Sequence, residues 1–410
     1  MVAVVAVLAI QSAFAVPRRY SPYRKLGLFA RVLTYVENNY VHHVDGRKLV
    51  HGAIRGMLKT LDPHSVFMPP DQYRRMKADT RGSFGGLGIE VEVRNNWLTI
   101  VAPIEDTPAH RAKLKSSDQI RAIDGKSTRG MQMTEAVRRM RGPRGTRVKL
   151  TIVRPLGKGK TKRFDVEIVR DVIKIVSVTS KMIEPGIGYI RVKNFQERTA
   201  SYLRKALEQL QAKQKLHGLI LDLRNNPGGL LEQAVRVADL FISDGLIVKT
   251  TGKGGRVLDR EVAHSRGTFK GFPMVCLVNG GSASASEIVA GALQDRKRAV
   301  IMGQQTFGKG SVQTIIELND GSGLKLTIAR YYTPSGRSIQ ERGIEPDIIA
   351  AAKAPPVKVE KVTREKDLQG HLRGTKRRKK KLARRRRLAD FQLQTALDYL
   401  RAAQIFGNLK

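Results

Sequence analysis

The run Val278-Asn279-Gly280-Gly281-Ser282-Ala283-Ser284-Ala285-Ser286-Glu287 decides how this chain of 410 residues is read. Before it lies the apolar stretch Phe272 to Val278, and after it the apolar spacing turns helical from Ala285 to Leu293. A strand that breaks at two glycines, presents serine and enters a helix has the geometry of an exposed nucleophile. Backbone N–H groups at the helix start can then hold a developing oxyanion. The same residues also have a plainer reading. Ser284-x-x-Glu287 is a capping box, and small residues permit close helix packing. Local chemistry does not choose among Ser282, Ser284 and Ser286.

Outward from this point the pattern alternates. Strands are expected over 188–192, 219–223 and 274–278, and helices over 200–213, 230–242 and 285–293, which argues for an α/β unit. Two further turns in it carry chemistry. In Thr306-Phe307-Gly308-Lys309-Gly310-Ser311-Val312-Gln313 a lysine stands between two glycines, which admit close backbone approach. Lysine deprotonates serine only when neutral, so Lys309 needs desolvation or nearby positive charge to bring its pKa down from about 10.4. Gln313, four residues on, shares its face on a strand or a helix and is placed to orient the amine. In Leu221-Asp222-Leu223-Arg224-Asn225-Asn226-Pro227-Gly228-Gly229 a strand runs into a Pro-Gly-Gly turn whose amides are suited to an oxyanion hole.

Ahead of the α/β unit, residues 83–170 read as a small, mostly β domain with one short helix near 134–141. Gly85-Gly86-Leu87-Gly88-Ile89, Thr107-Pro108-Ala109 and Asp118 to Gly125, in that order, resemble a PDZ domain. The amides of Leu87, Gly88 and Ile89 are its expected carboxylate-holding groups, with the following strand as an edge for an incoming peptide. Arg141, in the turn after the helix, is the candidate contact for passing tail binding on to the catalytic turns. Earlier still, apolar residues at helical spacing between Leu28 and Met57 predict two amphipathic helices, ended at Leu61-Asp62-Pro63-His64-Ser65. A last helix carries Leu393, Leu397 and Leu400 on one face, a stripe equally suited to the chain's own core and, together with the N-terminal helices, to a contact in a dimer or larger assembly.

Taken together, the motifs resemble the carboxyl-terminal processing peptidases, or tail-specific proteases, over about residues 28–350. The resemblance rests on Leu61 to Ser65, Asp222 to Gly229, Ser282 to Glu287, Gly308-Lys309-Gly310, Tyr331 to Gly336 and Gly343 to Asp347. It implies Ser284 as nucleophile, Lys309 as general base and Gln313 as third member. The amides of Ala285 and of Gly228 or Gly229 would form the oxyanion hole. It also implies a crotonase-like and Clp-protease-like α/β catalytic fold with an inserted PDZ domain, α+β overall, and helical segments at both ends. Gly280 stands where the family often has glutamate, and Lys113 and Ser117 replace glycines common in PDZ loops.

The expected divisions are a signal peptide (1–15), an N-terminal helical region (16–82), the PDZ domain (83–170) and the peptidase domain (171–350). A basic linker (351–387) and a C-terminal helix (388–410) follow. Residues 2–10 are almost wholly apolar and lead to Ala13-Phe14-Ala15, a pattern a signal peptidase cuts, so the chain is expected to be exported, to the periplasm or the outer face of a bacterial inner membrane. A homo-oligomer is implied by the resemblance. The net charge of +39, with ten basic residues among the twelve from Lys376 to Arg387, favours an anionic surface as partner. Nucleic acid is not the expected one: aromatics make up 6% of residues, and no recognition helix or stacking platform stands out. No cofactor is expected, and the eight histidines show no metal-binding spacing such as H-E-x-x-H. The lone Cys276 lies in an apolar run and reads as a buried structural thiol. A catalytically silent PDZ scaffold organising periplasmic partners is the alternative from another class, and intact Ser284, Lys309 and Gln313 argue against it.

Overall fold

Every residue of Gly218–Asp222 and Met274–Val278 is buried, as befits central parallel strands covered on both faces. The computed structural model describes residues 25–157, 159–352 and 390–407. In it these strands are the middle of a six-stranded sheet ordered Val178–Glu184, Ile187–Val192, Gly218–Asp222, Met274–Val278, Val300–Gly303, Ile348–Ile349. The first pair is an antiparallel hairpin and the remaining neighbours are parallel. Strand periodicity sends alternate residues to opposite faces. Leu219, Leu221, Cys276 and Val278 meet helices Thr199–Lys213, Leu231–Asp239 and Ala285–Asp295 in one core. Ile220, Val275 and Leu277 meet Leu393, Ala396, Leu397 and Leu400 of the C-terminal helix Phe391–Gly407 in another.

A second sheet stands beside the first. It pairs Gly323–Tyr332 with Ser311–Glu317, with Leu246–Thr251 and, at its other end, with the short strand Val66–Met68 from the N-terminal region. The N-terminal region thereby contributes a strand to the catalytic unit. Helix Gly46–Lys59 packs on that strand, with the His51 and Phe67 rings 4.7 Å apart, yet the two N-terminal helices bury little: Leu26–Asn39 none of its residues and Gly46–Lys59 only Leu58.

The β-rich unit has strands Ile89–Arg94, Trp97–Pro103, Gln119–Ile123, Arg147–Gly157 and Lys160–Val169 in one sheet, closed over by helix Met133–Met140. Its entry and exit strands, Ser83–Gly86 and Asp171–Lys174, pair antiparallel with each other, so the unit is an insertion on a two-stranded stalk. Lys113 and Ser117, which stand at loop positions where glycine was expected, have φ of 57° and 70°. That left-handed backbone is the conformation glycine adopts without cost, which accounts for its use there.

Two expectations are corrected. The apolar stripe of the C-terminal helix, considered with the N-terminal helices as an assembly surface, is spent on the chain's own sheet: Leu397 and Leu400 are 2% and 0% exposed. Helix Pro70–Arg81 was not expected, because Asp, Gln, Arg and Lys dominate it and only Tyr73 is buried. The proposed signal peptide and the basic run 376–387 lie outside the described residues.

Candidate active site

Helix Ala285–Asp295 begins at Ser284, whose φ and ψ of 57° and −114° place it on a sharp turn between strand and helix. The three serines separate here. Ser282 Oγ donates to Leu223 O at 2.8 Å and Ser286 Oγ to Asn226 O at 2.9 Å, and both residues are fully buried. Ser284 alone of the three lines the neighbouring cavity of about 690 Å³. The Asn226 carbonyl also accepts from Ala283 N–H at 3.0 Å, so the Asp222–Gly229 turn holds the serine turn by its backbone.

Lys309, Gln313, Ala285, Gly228 and Gly229 line the same cavity. Burial lowers the Lys309 pKa below the ordinary lysine range and Lys325 pushes it further, while Asp62 and Glu287 act in the other direction. Among the described residues no hydrogen bond joins the Lys309 amine to Ser284. The two turns are instead clamped by Glu287, a fully buried carboxyl group. It accepts from Ser284 N–H at 2.7 Å, Gly308 N–H at 2.7 Å and Lys309 N–H at 2.9 Å. Read in the sequence as the partner in a capping box, Glu287 caps the helix and docks the lysine turn in the same step. Tyr331 supplies a second clamp, its hydroxyl lying within hydrogen-bond distance of the Lys309 carbonyl, which can only accept, and 3.0 Å from Ser284 Oγ, which can accept or donate.

Among the described residues no hydrogen bond joins Gln313 to the Lys309 amine. Its amide nitrogen donates to Ser311 Oγ at 2.9 Å and Thr327 Oγ1 at 3.4 Å. Thr327 in turn donates to Asp62 at 3.2 Å, and its N–H to Ser65 Oγ at 3.1 Å. Asp62 and Ser65 thus extend the site into the Leu61 to Ser65 motif. Burial raises the Asp62 pKa, but bonds from Ser65, His64 N–H and Thr327 outweigh it and hold the carboxyl below its usual range.

The two glycines differ. Gly228, with φ of 101°, lies against the serine turn so closely that a Cβ would stand 2.9 Å from Ser284 Cβ. Its N–H is taken by Asn226 Oδ1 at 2.9 Å. The N–H groups of Gly229 and Ala285 have no acceptor among the described residues. Just before this turn, Arg224 bonds Asp222 and, at 2.7 Å, Asp390, tying the C-terminal segment to it.

The model of peptidase family S41 matches residues 186–350, a PDZ domain model matches 99–154, and the model of the activating protease CtpB N-terminal domain matches 14–72. The carboxy-terminal-processing protease of Bartonella bacilliformis is 48% identical over 357 residues, covering 86% of this chain and 81% of its own. The chain belongs to the carboxy-terminal processing proteases. The protease CtpA of Bacillus subtilis is 41% identical, over 77% of this chain and 66% of its own. A photosystem II D1 C-terminal processing protease of known structure is 30% identical, covers 80% of this chain and 93% of its own, and superposes with a TM-score of 0.48. By its family and its relatives in sequence, the protease is a serine-type peptidase acting on peptide chains.

In the PDZ unit, Leu87 is buried and Gly88 has φ of 77°. A side chain at Gly88 would strike Thr107, whose hydroxyl donates to the Gly88 carbonyl at 3.1 Å. The N–H groups of Leu87 and Gly88 have no acceptor among the described residues. Arg141 sits on the stalk: its guanidinium lies 3.9 Å over the Phe84 ring and 3.4 Å from Asp79 of helix Pro70–Arg81, which lines the cavity. Sequence reading missed Glu287's second role, Lys325, and the participation of Asp62. Asp62 and Glu287 carried a signal, as parts of the recognised motifs. Lys325 carried none, since one lysine in a basic chain stands out only by its neighbours.

Proposed function

We propose that the protease cleaves near the C-terminal tails of protein substrates through a Ser284–Lys309 mechanism, with the PDZ domain reading the tail carboxylate. The observation that carries this is the shared cavity, where Ser284, the one of the three serines that lines it, meets a lysine whose charged form is disfavoured. Neutral Lys309 takes the Ser284 proton, and the oxygen attacks the scissile carbonyl to give an acyl-enzyme that water then releases. Ala285 N–H and Gly229 N–H are the donors suited to the oxyanion, with Gly228 shaping the turn. Gln313 serves as third member by fixing the strand next to Lys309, through Ser311 and Thr327.

Leu87, Gly88 and Ile89 hold the tail carboxylate through their amides, and Arg141, bonded to the cavity-lining helix, passes the bound state to the active site. Export to the periplasmic side fits the apolar N-terminus and its Ala-Phe-Ala pattern. N-terminal sequencing that finds the active chain still beginning at Met1 in the cytoplasm would contradict it.

Ser284→Ala and Lys309→Ala are each expected to remove nearly all cleavage of an unstructured protein with an apolar C-terminus, read by mass spectrometry, with thermal unfolding little changed. Wild-type turnover in either variant excludes the assignment and leaves the scaffold reading.

A further inference from the structure

Tyr331 is the last residue but one of the strand Gly323–Tyr332, is 2% exposed and packs in the catalytic core. Its N–H donates to Gly310 O at 2.9 Å, which ties the strand to the Lys309 turn. Its hydroxyl touches two oxygens, the Lys309 carbonyl and, at 3.0 Å, Ser284 Oγ. A phenol has one proton to give and a carbonyl has none. With that proton on the carbonyl, the Ser284 hydroxyl donates to the phenol oxygen. Once the serine proton has left, Oγ is the stronger acceptor, because hydrogen bonds to an ionised oxygen are about twice as strong as neutral ones. The phenol proton then turns to Oγ. Burial pushes the Tyr331 pKa upward, so the group stays protonated and donates.

We propose that Tyr331 is a catalytic hydrogen-bond donor to Ser284 Oγ, engaged whenever that oxygen carries negative charge. The inference rests on the Ser284–Lys309 reading above. In acylation the serine proton passes to neutral Lys309, Oγ bonds the carbonyl carbon, and the C–N bond breaks as the Lys309 proton goes to the leaving amine. In deacylation water gives a proton to Lys309 and bonds the acyl carbon. The C–Oγ bond then breaks, its electron pair stays on Oγ, and the Lys309 proton restores the hydroxyl. The Tyr331 proton is shared in both stages and transferred in neither. A donor already aimed at Oγ needs no reorganisation at the moment of charge development.

The test measures Tyr331→Phe beside Ser284→Ala and Lys309→Ala in the full chain, on the same unstructured substrate. Losing a hydrogen bond to a charged oxygen lowers kcat about 10- to 150-fold with KM little changed. Labelling of Ser284 by a fluorophosphonate slows in parallel. A packing role alone would lower Tm or raise KM and leave the kcat of the folded protein unchanged, and that result overturns the proposal. Wild-type kcat in Tyr331→Phe beside an inactive Ser284→Ala overturns it while sparing the nucleophile assignment; turnover in Ser284→Ala removes the assignment itself. Should Tyr331→Phe fail to fold, 3-fluorotyrosine at position 331 keeps ring and hydroxyl and alters only donor strength. A changed labelling rate then supports the proposal, and an unchanged one overturns it.

Discussion

Lys309 is held between opposed charges. Burial and Lys325 favour its neutral form, and Asp62 and Glu287 favour its charged form. As the reacting group must be neutral, activity is expected to rise with pH through the Lys309 pKa, which lies below the usual lysine range. The sign for Lys325 follows: removing its positive charge makes the Lys309 ammonium easier to keep, raises its pKa and moves the rising limb to higher pH. Lys325→Gln, compared with wild type in kcat/KM against pH, should show that displacement. A limb that stays in place or moves to lower pH would show that Lys325 does not tune the base. Burial and the Lys309 charge also lower the pKa of the neighbouring His64.

Among the elements, the two ends of the chain have opposite fates. The C-terminal helix fills one face of the central sheet, and through Asp390 and Arg224 it braces the turn that shapes the site. The first N-terminal helix instead exposes Leu26, Leu28, Val32 and Tyr35 at 54% or more. Apolar residues in a row on one amphipathic helix ask for cover. The proposed occupant is the same helix of a second copy, since Val66–Met68 ties this region to the catalytic unit while Leu26–Asn39 buries none of its own residues. Leu28→Asp with Val32→Asp is expected to convert the assembly to monomers by light scattering. A wild-type monomer at micromolar concentration rejects the proposal.

For the whole molecule, the stalk formed by Ser83–Gly86 and Asp171–Lys174 links the PDZ unit to the catalytic unit through two strands, with Arg141 bridging from one to the other. If the Leu87 to Ile89 amides hold a tail carboxylate, replacing it with an amide removes a charge-assisted bond. Cleavage should then fall by about 10- to 150-fold. The comparison uses two peptides differing only in that group, with the intact chain and with one lacking residues 83–170. Equal cleavage of both by the intact chain excludes tail reading, and a preference kept by the shortened chain assigns it to another surface.

Much of this was legible in the sequence because it is local. Strand and helix periodicity marked the central sheet from Gly188 to Leu293, glycine and proline marked the turns, and ordered short motifs identified the PDZ unit and the family. Other features depend on residues far apart in the chain. Ser282, Ser284 and Ser286 are chemically alike in a ten-residue window, and only the carbonyls of Leu223 and Asn226, some sixty positions away, occupy two of them and leave Ser284 to the cavity. Gly228 and Gly229 differ only in what lies across from their amides. The C-terminal stripe looked equally fit for a partner or for its own sheet until Ile220, Val275 and Leu277 were seen beneath it. Periodicity records that a face is apolar; which surface covers it is settled by long-range packing, where the free energy of burial is shared between both sides.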